Sequence, residues 1–392
     1  MDKIKVAFYT DTYLPAIDGV VTSMLNFKRE LENRGHEVYI FASGDADSKK
    51  VYSNSHVFIM QGIKFKPYPQ YKLAFFPYHT ILKLQAENID VVHAQTPFFM
   101  GFTALTISKL MKYPIIGSFH TLVNNSKVLD EYYPKNKTLK KFTSKYLWSY
   151  TKFFYRKCDK AIVPTKTIEE LLAKQGMKNI EVVPNSVDMK RFNTKINGDT
   201  IRDKLGLKDN ERVVLYVGRI SKEKRIEVML KAAKVLSKKR DNVKFVIVGT
   251  GPAMKYYMTL ANKLKLGDKV KFAGFASEGA LPKYYAMSDL LCMPSTFETQ
   301  GIVALEAMAS GKPVVGSDYL ALKEMIKNNY NGEKFKAGDY LQCASKIEKV
   351  LNNSSVYKRN AVAFASGFSV PKVTDRLLEV YNKILNDYKA IY

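Results

Sequence analysis

Short apolar runs rich in β-branched residues alternate along this chain with segments whose apolar positions recur every three to four residues. IKVAFYT (4–10), VYIFAS (38–43), VVHA (91–94) and IIGSFH (115–120) read as buried strands, and Val21–Arg34 has helical spacing between the first two. Strands separated by helices imply parallel sheets built from βαβ units. After EVVPNSVDMKRFN (181–193) the polar stretch NTKINGDT (193–200) carries neither period, which places a domain boundary there and gives residues 1–192 and 193–372. A second series begins with RVVLYVG (212–218) and continues through KFVIVG (244–249), KVKFAG (269–274) and LLCMP, ending at Pro294. The expected architecture is α/β, two doubly wound parallel-sheet Rossmann-like domains facing across a cleft, with ligands at the strand C-termini. The last segment, 373–392, lines up Leu377, Leu378, Val380, Tyr381, Ile384 and Leu385 along a helical face. That spacing fits a cap on either domain, and completion of the first is expected.

Hydrophobic residues make up 46% and charged residues 25% of the 392, which excludes disordered, collagen-like and low-complexity architectures. No uncharged apolar run reaches the roughly 20 residues that span a bilayer, and Met1 to Thr10 runs straight into a strand rather than a signal peptide. The expected location is therefore cytoplasmic, or peripheral on the inner face of the cell membrane. Cys158, Cys292 and Cys343 are far apart without metal-type spacing, so neither disulfides nor zinc are expected.

The abnormal number is the charge: 62 Lys and Arg against 37 Asp and Glu, a net +25. It fits nucleic acid, anionic lipid or phosphate-bearing substrates. Nucleic acid is set aside because the basic residues spread over both halves and no helix-turn-helix, RNP, KH or zinc-finger signature is present. From Lys135 to Lys166 ten basic residues stand against Asp159 alone, interleaved with Phe142, Tyr146, Trp148, Tyr150, Phe153, Phe154 and Tyr155. This stretch and KFKPYPQYKLAFFPYHTILK (64–83), with Phe75, Phe76 and Tyr78, suit an anionic membrane surface, or else pack their aromatics inward and leave the lysines in water.

Candidate chemistry gathers at strand ends. In SDLLCMPSTFETQGIVALEAMASGKPVVGSD (288–318) a buried strand ends at Pro294 and a polar turn leads into an Ala-rich helix near Gly301. The amides of Thr299, Gln300, Gly301, Ile302 and Val303 would then point out of a helix N-terminus, where an anion is favoured. Glu298 sits just before that helix and Glu306 lies eight residues on, which at 3.6 residues per turn puts the two carboxylates about 80° apart around the helix. In YVGRISKEKRIEVML (216–230) a strand ends at Gly218, followed by Arg219 and Lys224, two cations suited to a dianionic diphosphate. VGTGPAM (248–254) holds Gly249 and Gly251 in a strand-to-helix turn, and Gly274-Phe275 ends the next strand. Gly19 lies in the polar loop ahead of the helix that starts near Val21, where the lack of a side chain lets backbone approach a ligand. His120 comes off a strand in an aromatic-flanked turn. No Asp-x-Asp ends a strand and the five histidines form no i, i+4 pair, so no metal is implied.

In combination these motifs resemble, over almost the whole length, the retaining glycosyltransferases of family 4 with the GT-B fold. GVVTSMLNFKRELENRGHEVY looks like their monoglucosyldiacylglycerol synthase branch. The resemblance implies that Glu298 contacts the donor sugar's hydroxyls, Glu306 the nucleotide ribose, and Thr299 to Val303 the diphosphate. It implies that Arg219 and Lys224 stabilise the leaving group, that Gly218, Gly249, Gly251, Gly274 and Phe275 line the nucleotide and its base, and that His120 sits at the sugar. Two departures stand out: Arg225 follows Lys224 where the family usually has Gly or Asn, and the first loop has Asp18-Gly19 where many members have two glycines. The implied activity is transfer of a hexose from a sugar nucleotide to a lipid or glycan acceptor, without a cofactor, the C-terminal half holding the donor and the N-terminal half the acceptor. UDP-glucose and a membrane lipid hydroxyl are favoured. A GDP-mannose-dependent mannosyltransferase, a GT-B sugar-nucleotide epimerase and a non-catalytic scaffold stay open beside it.

Overall fold

The strand-helix alternation closes into two separate sheets in the computed structural model, which describes residues 3–16, 18–64, 72–74, 87–120 and 137–391. The first sheet contains β1 (Lys5–Thr10), β2 (Glu37–Gly44), β3 (Val57–Lys64), β4 (Lys72–Ala74), β5 (Val91–Ala94), β6 (Ile115–Ser118), β7 (Lys160–Val163) and β8 (Ile180–Val182). Their order is β4-β3-β2-β1-β5-β6-β7-β8, parallel throughout except for the β3–β4 edge pair. Helices cover both faces of such a sheet, which is why its central strands read as unbroken apolar runs. Asp18 starts the first helix, Gly19–Asn33, by accepting hydrogen bonds from the amides of Val20 and Val21.

The first unit comprises Met1–Asn185 together with Val370–Tyr392. Its closing helix, Val370–Ile391, is tied in by Tyr381, whose hydroxyl lies 2.7 Å from His93 Nδ1 on β5, and by Asp375, 2.5 Å from Arg34 Nη1. The second unit is Ser186–Ser369, so the division falls at Asn185/Ser186 rather than after residue 192. Val187 and Phe192 are the physical reason: both are buried in the second unit's core, which draws the nonperiodic stretch that follows into that unit.

The second sheet contains β9 (Arg212–Val217), β10 (Val243–Val248), β11 (Val270–Gly274), β12 (Leu290–Met293), β13 (Val314–Ser317) and β14 (Gly332–Phe335). It is parallel throughout, in the order β11-β10-β9-β12-β13-β14. Alternation along β9 splits the apolar core in two: Val214 and Tyr216 face one cluster, Val213 and Leu215 the other. In the first of these clusters the free thiols of Cys292 and Cys343 approach to 3.9 Å. The strand order reverses between β9 and β12, and between β1 and β5 in the first unit. Doubly wound sheets bind ligands beyond the carboxyl ends of such strand pairs.

Candidate active site

Beyond β9 the chain turns at Gly218, whose φ of +145° lies in the region that favours glycine. The Tyr216 hydroxyl donates to the Arg219 carbonyl over 2.9 Å and so holds the turn that carries Arg219. A single 3₁₀ turn, Lys222–Lys224, follows, and Glu223 within it is buried and accepts the Ser221 hydroxyl. Lys224 Nζ then lies 2.8 Å from Glu298 Oε1, across 74 residues of sequence. Both side chains are partly screened from water, at 21% and 14% exposure. The cation after β9 and the carboxylate after β12 thus meet at the strand pair where the order reverses.

Arg225 takes the left-handed conformation, φ +54°, and its Nε lies 2.5 Å from Glu227 Oε1. The family's usual Gly or Asn at this place therefore answers a backbone demand, which Arg225 meets under strain. Arg225→Asn is expected to keep activity and to hold or raise stability by up to about 1 kcal/mol, whereas Arg225→Val should lower it by a similar or larger amount. Thermal melts of the two variants check this.

Glu298 precedes the helix, as its sequence position indicates. The helix after β12 spans Ile302–Ala309 and begins from Gly301 at φ +86°, so the expected angular relation between Glu298 and Glu306 does not hold. Glu298 belongs to the preceding turn, shaped by the Ser295 hydroxyl accepting from the Phe297 amide and by the Ser317 hydroxyl donating to the Ser295 carbonyl. Glu306 is buried on the helix, takes a 2.7 Å hydrogen bond from the Tyr285 hydroxyl, and is pushed above the usual carboxylate range by that burial. Tyr285 has no motif of its own, and only its place in a helix packed beside this one reveals it. Among the described residues no side chain caps Gly301, so the helix start, with the amides of Ile302 and Val303, is the kind of positive end an anion seeks.

The remaining glycines divide by what surrounds them. A Cβ on Gly249 would come within 1.9 Å of the Gly218 carbonyl oxygen, and one on Gly251 within 2.3 Å of that of Ile220. Their missing side chains let the loops after β9 and β10 touch backbone to backbone, with the Gly218 amide donating to Val248, Ile220 to Thr250 and Gly249 to Gly274. Gly274, φ +71°, has open space around it, and Phe275 beyond is 67% exposed.

In the first unit His120 stands two residues past β6, half-buried, with Nε2 3.3 Å from Gln95 Oε1. Burial pulls its pKa down to about 4, so at neutral pH it is an uncharged imidazole. Asp11, past β1, is fully buried, accepts the Thr96 hydroxyl at 2.5 Å and the Met100 amide at 3.0 Å, and is pushed up to about 6 by desolvation. Gly19 is exposed at its helix start, where the amides of Val20 and Val21 are already taken by Asp18. Sequence reading missed Asp11 and Gln95, whose one signal is a polar residue directly after an apolar strand.

The basic segment forms a helix, Lys137–Lys157. Its aromatics split: Phe154 and Tyr155 are buried, while Tyr146 and Phe153 are 73% and 50% exposed. Ser149, Lys152, Phe153, Arg156 and Lys157 line a shallow hollow of about 430 Å³ on its surface. Of the 64–83 segment, residues 65–71 and 75–83 lie outside the described residues. Among the described residues no helix is long and apolar enough to cross a membrane.

Comparison with known proteins gives the chain a family. The family model described as Glycosyltransferase Family 4 matches residues 17–191, and the one described as Glycosyl transferases group 1 matches residues 197–363. The chain is 30% identical over 350 residues to the alpha-monoglucosyldiacylglycerol synthase of Streptococcus pneumoniae, covering 86% of this chain and 78% of that one. It is also 30% identical over 351 residues to the synthase of the same name from Acholeplasma laidlawii, covering 86% of each. In structure it superposes on the HepE protein of Anabaena in complex with UDP-glucose with a TM-score of 0.75, at 19% identity over 97% of this chain and all of that one. The chain is therefore a hexosyltransferase with the GT-B fold and belongs to glycosyltransferase family 4, in the branch that contains the monoglucosyldiacylglycerol synthases.

Proposed function

We propose that the protein is a retaining, metal-independent glucosyltransferase that moves the hexose of UDP-glucose to a hydroxyl of a membrane lipid such as diacylglycerol, forming an α-glycoside. The observation that carries this reading is the meeting of Lys224 with Glu298 beside the uncapped helix start at Gly301. Lys224 Nζ has three N–H donors, so a hydrogen bond to Glu298 leaves others for a phosphate oxygen. In the proposed step the acceptor oxygen bonds to the sugar's anomeric carbon as the bond to the diphosphate breaks on the same face, and the acceptor proton passes to a diphosphate oxygen. Arg219, Lys224 and the Thr299–Val303 amides take up the charge on the departing nucleoside diphosphate, the work a metal does in other designs. Glu298 holds sugar hydroxyls, Glu306 the ribose, and neutral His120 hydrogen-bonds near the sugar. The lipid acceptor and glucose are supported by what the two bacterial synthases are named for, and the uridine by the ligand of HepE.

The test supplies labelled UDP-glucose or GDP-mannose with diacylglycerol vesicles and partitions the product into organic solvent. Label from UDP-glucose in an α-linked lipid, undiminished by a chelator, is expected. Transfer from GDP-mannose alone, or a β-linked product, defeats the reading.

The exposed Tyr146 and Phe153 among Lys145, Lys152, Arg156 and Lys157 support peripheral binding at an anionic membrane face. Vesicles containing anionic lipid should sediment the protein, less so in high salt, and K152E/R156E should weaken this several-fold. Equal binding to neutral vesicles rules out the electrostatic part.

A further inference from the structure

Gln95 directly follows β5, at the point in the first unit where the strand order reverses. It is 1% exposed, and its backbone amide donates to the Tyr9 carbonyl of β1 over 2.7 Å, which fixes where its side chain starts. Its Oε1 faces His120 Nε2 at 3.3 Å, while its Nε2 is buried and meets no hydrogen-bond partner among the described residues. The polar side chains beside it are already engaged: Thr96 with Asp11, and His93 with both Tyr381 and Ser118. A buried amide donor without an acceptor is destabilising, and an arrangement of this kind persists where a ligand completes it.

We propose that Gln95 is a substrate-binding residue whose Nε2 donates to a hydroxyl oxygen of the bound sugar or of the acceptor alcohol. The inference rests on the glycosyl-transfer reading. An alcohol oxygen suits the position because it accepts from Nε2 and can donate to the amide's own Oε1. A phosphate would bring its charge against that carbonyl and against the carboxyl of Asp11, which shares Thr96 with this turn.

Gln95→Met keeps length and volume and removes both polar atoms, and Gln95→Glu keeps an acceptor toward His120 and replaces the donor. Both variants should lose about 10- to 100-fold in kcat/KM for glycosyl transfer. Gln95→Met should melt at or above the wild-type temperature, because it deletes an unsatisfied buried donor. Slow hydrolysis of the sugar nucleotide in water, without acceptor, separates the two sources. If hydrolysis falls with transfer, Nε2 meets the sugar; if only transfer falls, it meets the acceptor.

Wild-type kinetics in Gln95→Met overturns the proposal, as does a melting temperature several degrees lower, which marks a structural role. Full activity in Gln95→Glu overturns it too, since only the contact with His120 would then matter. A wild-type protein that turns over no sugar nucleotide defeats the glycosyl-transfer reading instead. Gln95 is then tested by the thermal shifts that UDP-glucose and monoacylglycerol give wild type and Gln95→Met: a smaller shift in the variant supports the proposal, and equal shifts overturn it.

Discussion

Lys224→Ala should lower kcat by about 10² to 10³-fold while the protein melts within a few degrees of wild type. The size follows from what the cation does as the bond breaks. Charge on the diphosphate grows between ground and transition state, so a fixed positive group stabilises the second more than the first, and its loss appears in kcat more than in KM. The stability effect stays small because the Lys224–Glu298 pair, at 21% and 14% exposure, remains partly screened by water. Pairs of this kind are worth about 1 kcal/mol or less. Steady-state kinetics and a melt of the same preparation check both halves, and wild-type kcat in a folded variant would remove Lys224 from the reaction. The contact with Glu298 adds a sharper expectation. Two residues acting independently on diphosphate and sugar would give additive losses, but groups 2.8 Å apart should couple. The double variant Lys224→Ala/Glu298→Gln should thus lose less than the product of the two single losses.

That contact shows where sequence reading stops. Apolar runs located eight of the fourteen described strands to within a residue or two, since a strand buried on both faces has a composition helices seldom match over four to six residues. The same runs, followed by Gly218, Gly274 and Pro294, marked the strand ends where ligands bind. The place of Glu298 ahead of the helix was legible, but the angle between it and Glu306 was not, because a helical angle does not carry back past Gly301, which starts the helix at φ +86°. The domain limit was misplaced because a polar run looks like a linker, whereas Val187 and Phe192 just before it are anchored in the second core. In the basic helix, pattern alone left two orientations of the aromatic stripe. The structure uses both, burying Phe154 and Tyr155 and exposing Tyr146 and Phe153. Tyr285 and Gln95 were out of reach because their partners, Glu306 and His120, are about 20 and 25 residues away in a direction no periodicity records.

Gly249→Ala is expected to be the most damaging of the glycine substitutions at these strand ends. A methyl group there would sit 1.9 Å from the Gly218 carbonyl oxygen, and φ +132° is a conformation that side-chain-bearing residues avoid. Neither neighbour can yield independently: the Gly218 amide is held by Val248 and the Gly249 amide by Gly274. Relief must come from parting the loops after β9 and β10, which shifts Gly218 and with it Arg219. The expected loss is at least about 3 kcal/mol, a size reached only through steric conflict or comparable damage in a folded core. For a unit of this length that corresponds to roughly 6 to 12 °C in melting temperature, together with loss of most activity. Two other glycines calibrate the result. Gly274→Ala meets open space and carries only the left-handed backbone penalty of about 1 to 2 kcal/mol, and Gly279→Ala meets open space at an ordinary φ and should be nearly silent. The alternative is that Gly249 is glycine because a nucleotide passes close to its backbone. On that account Gly249→Ala would melt like wild type and fail only in binding the sugar nucleotide, so one melt without ligand separates loop packing from ligand contact.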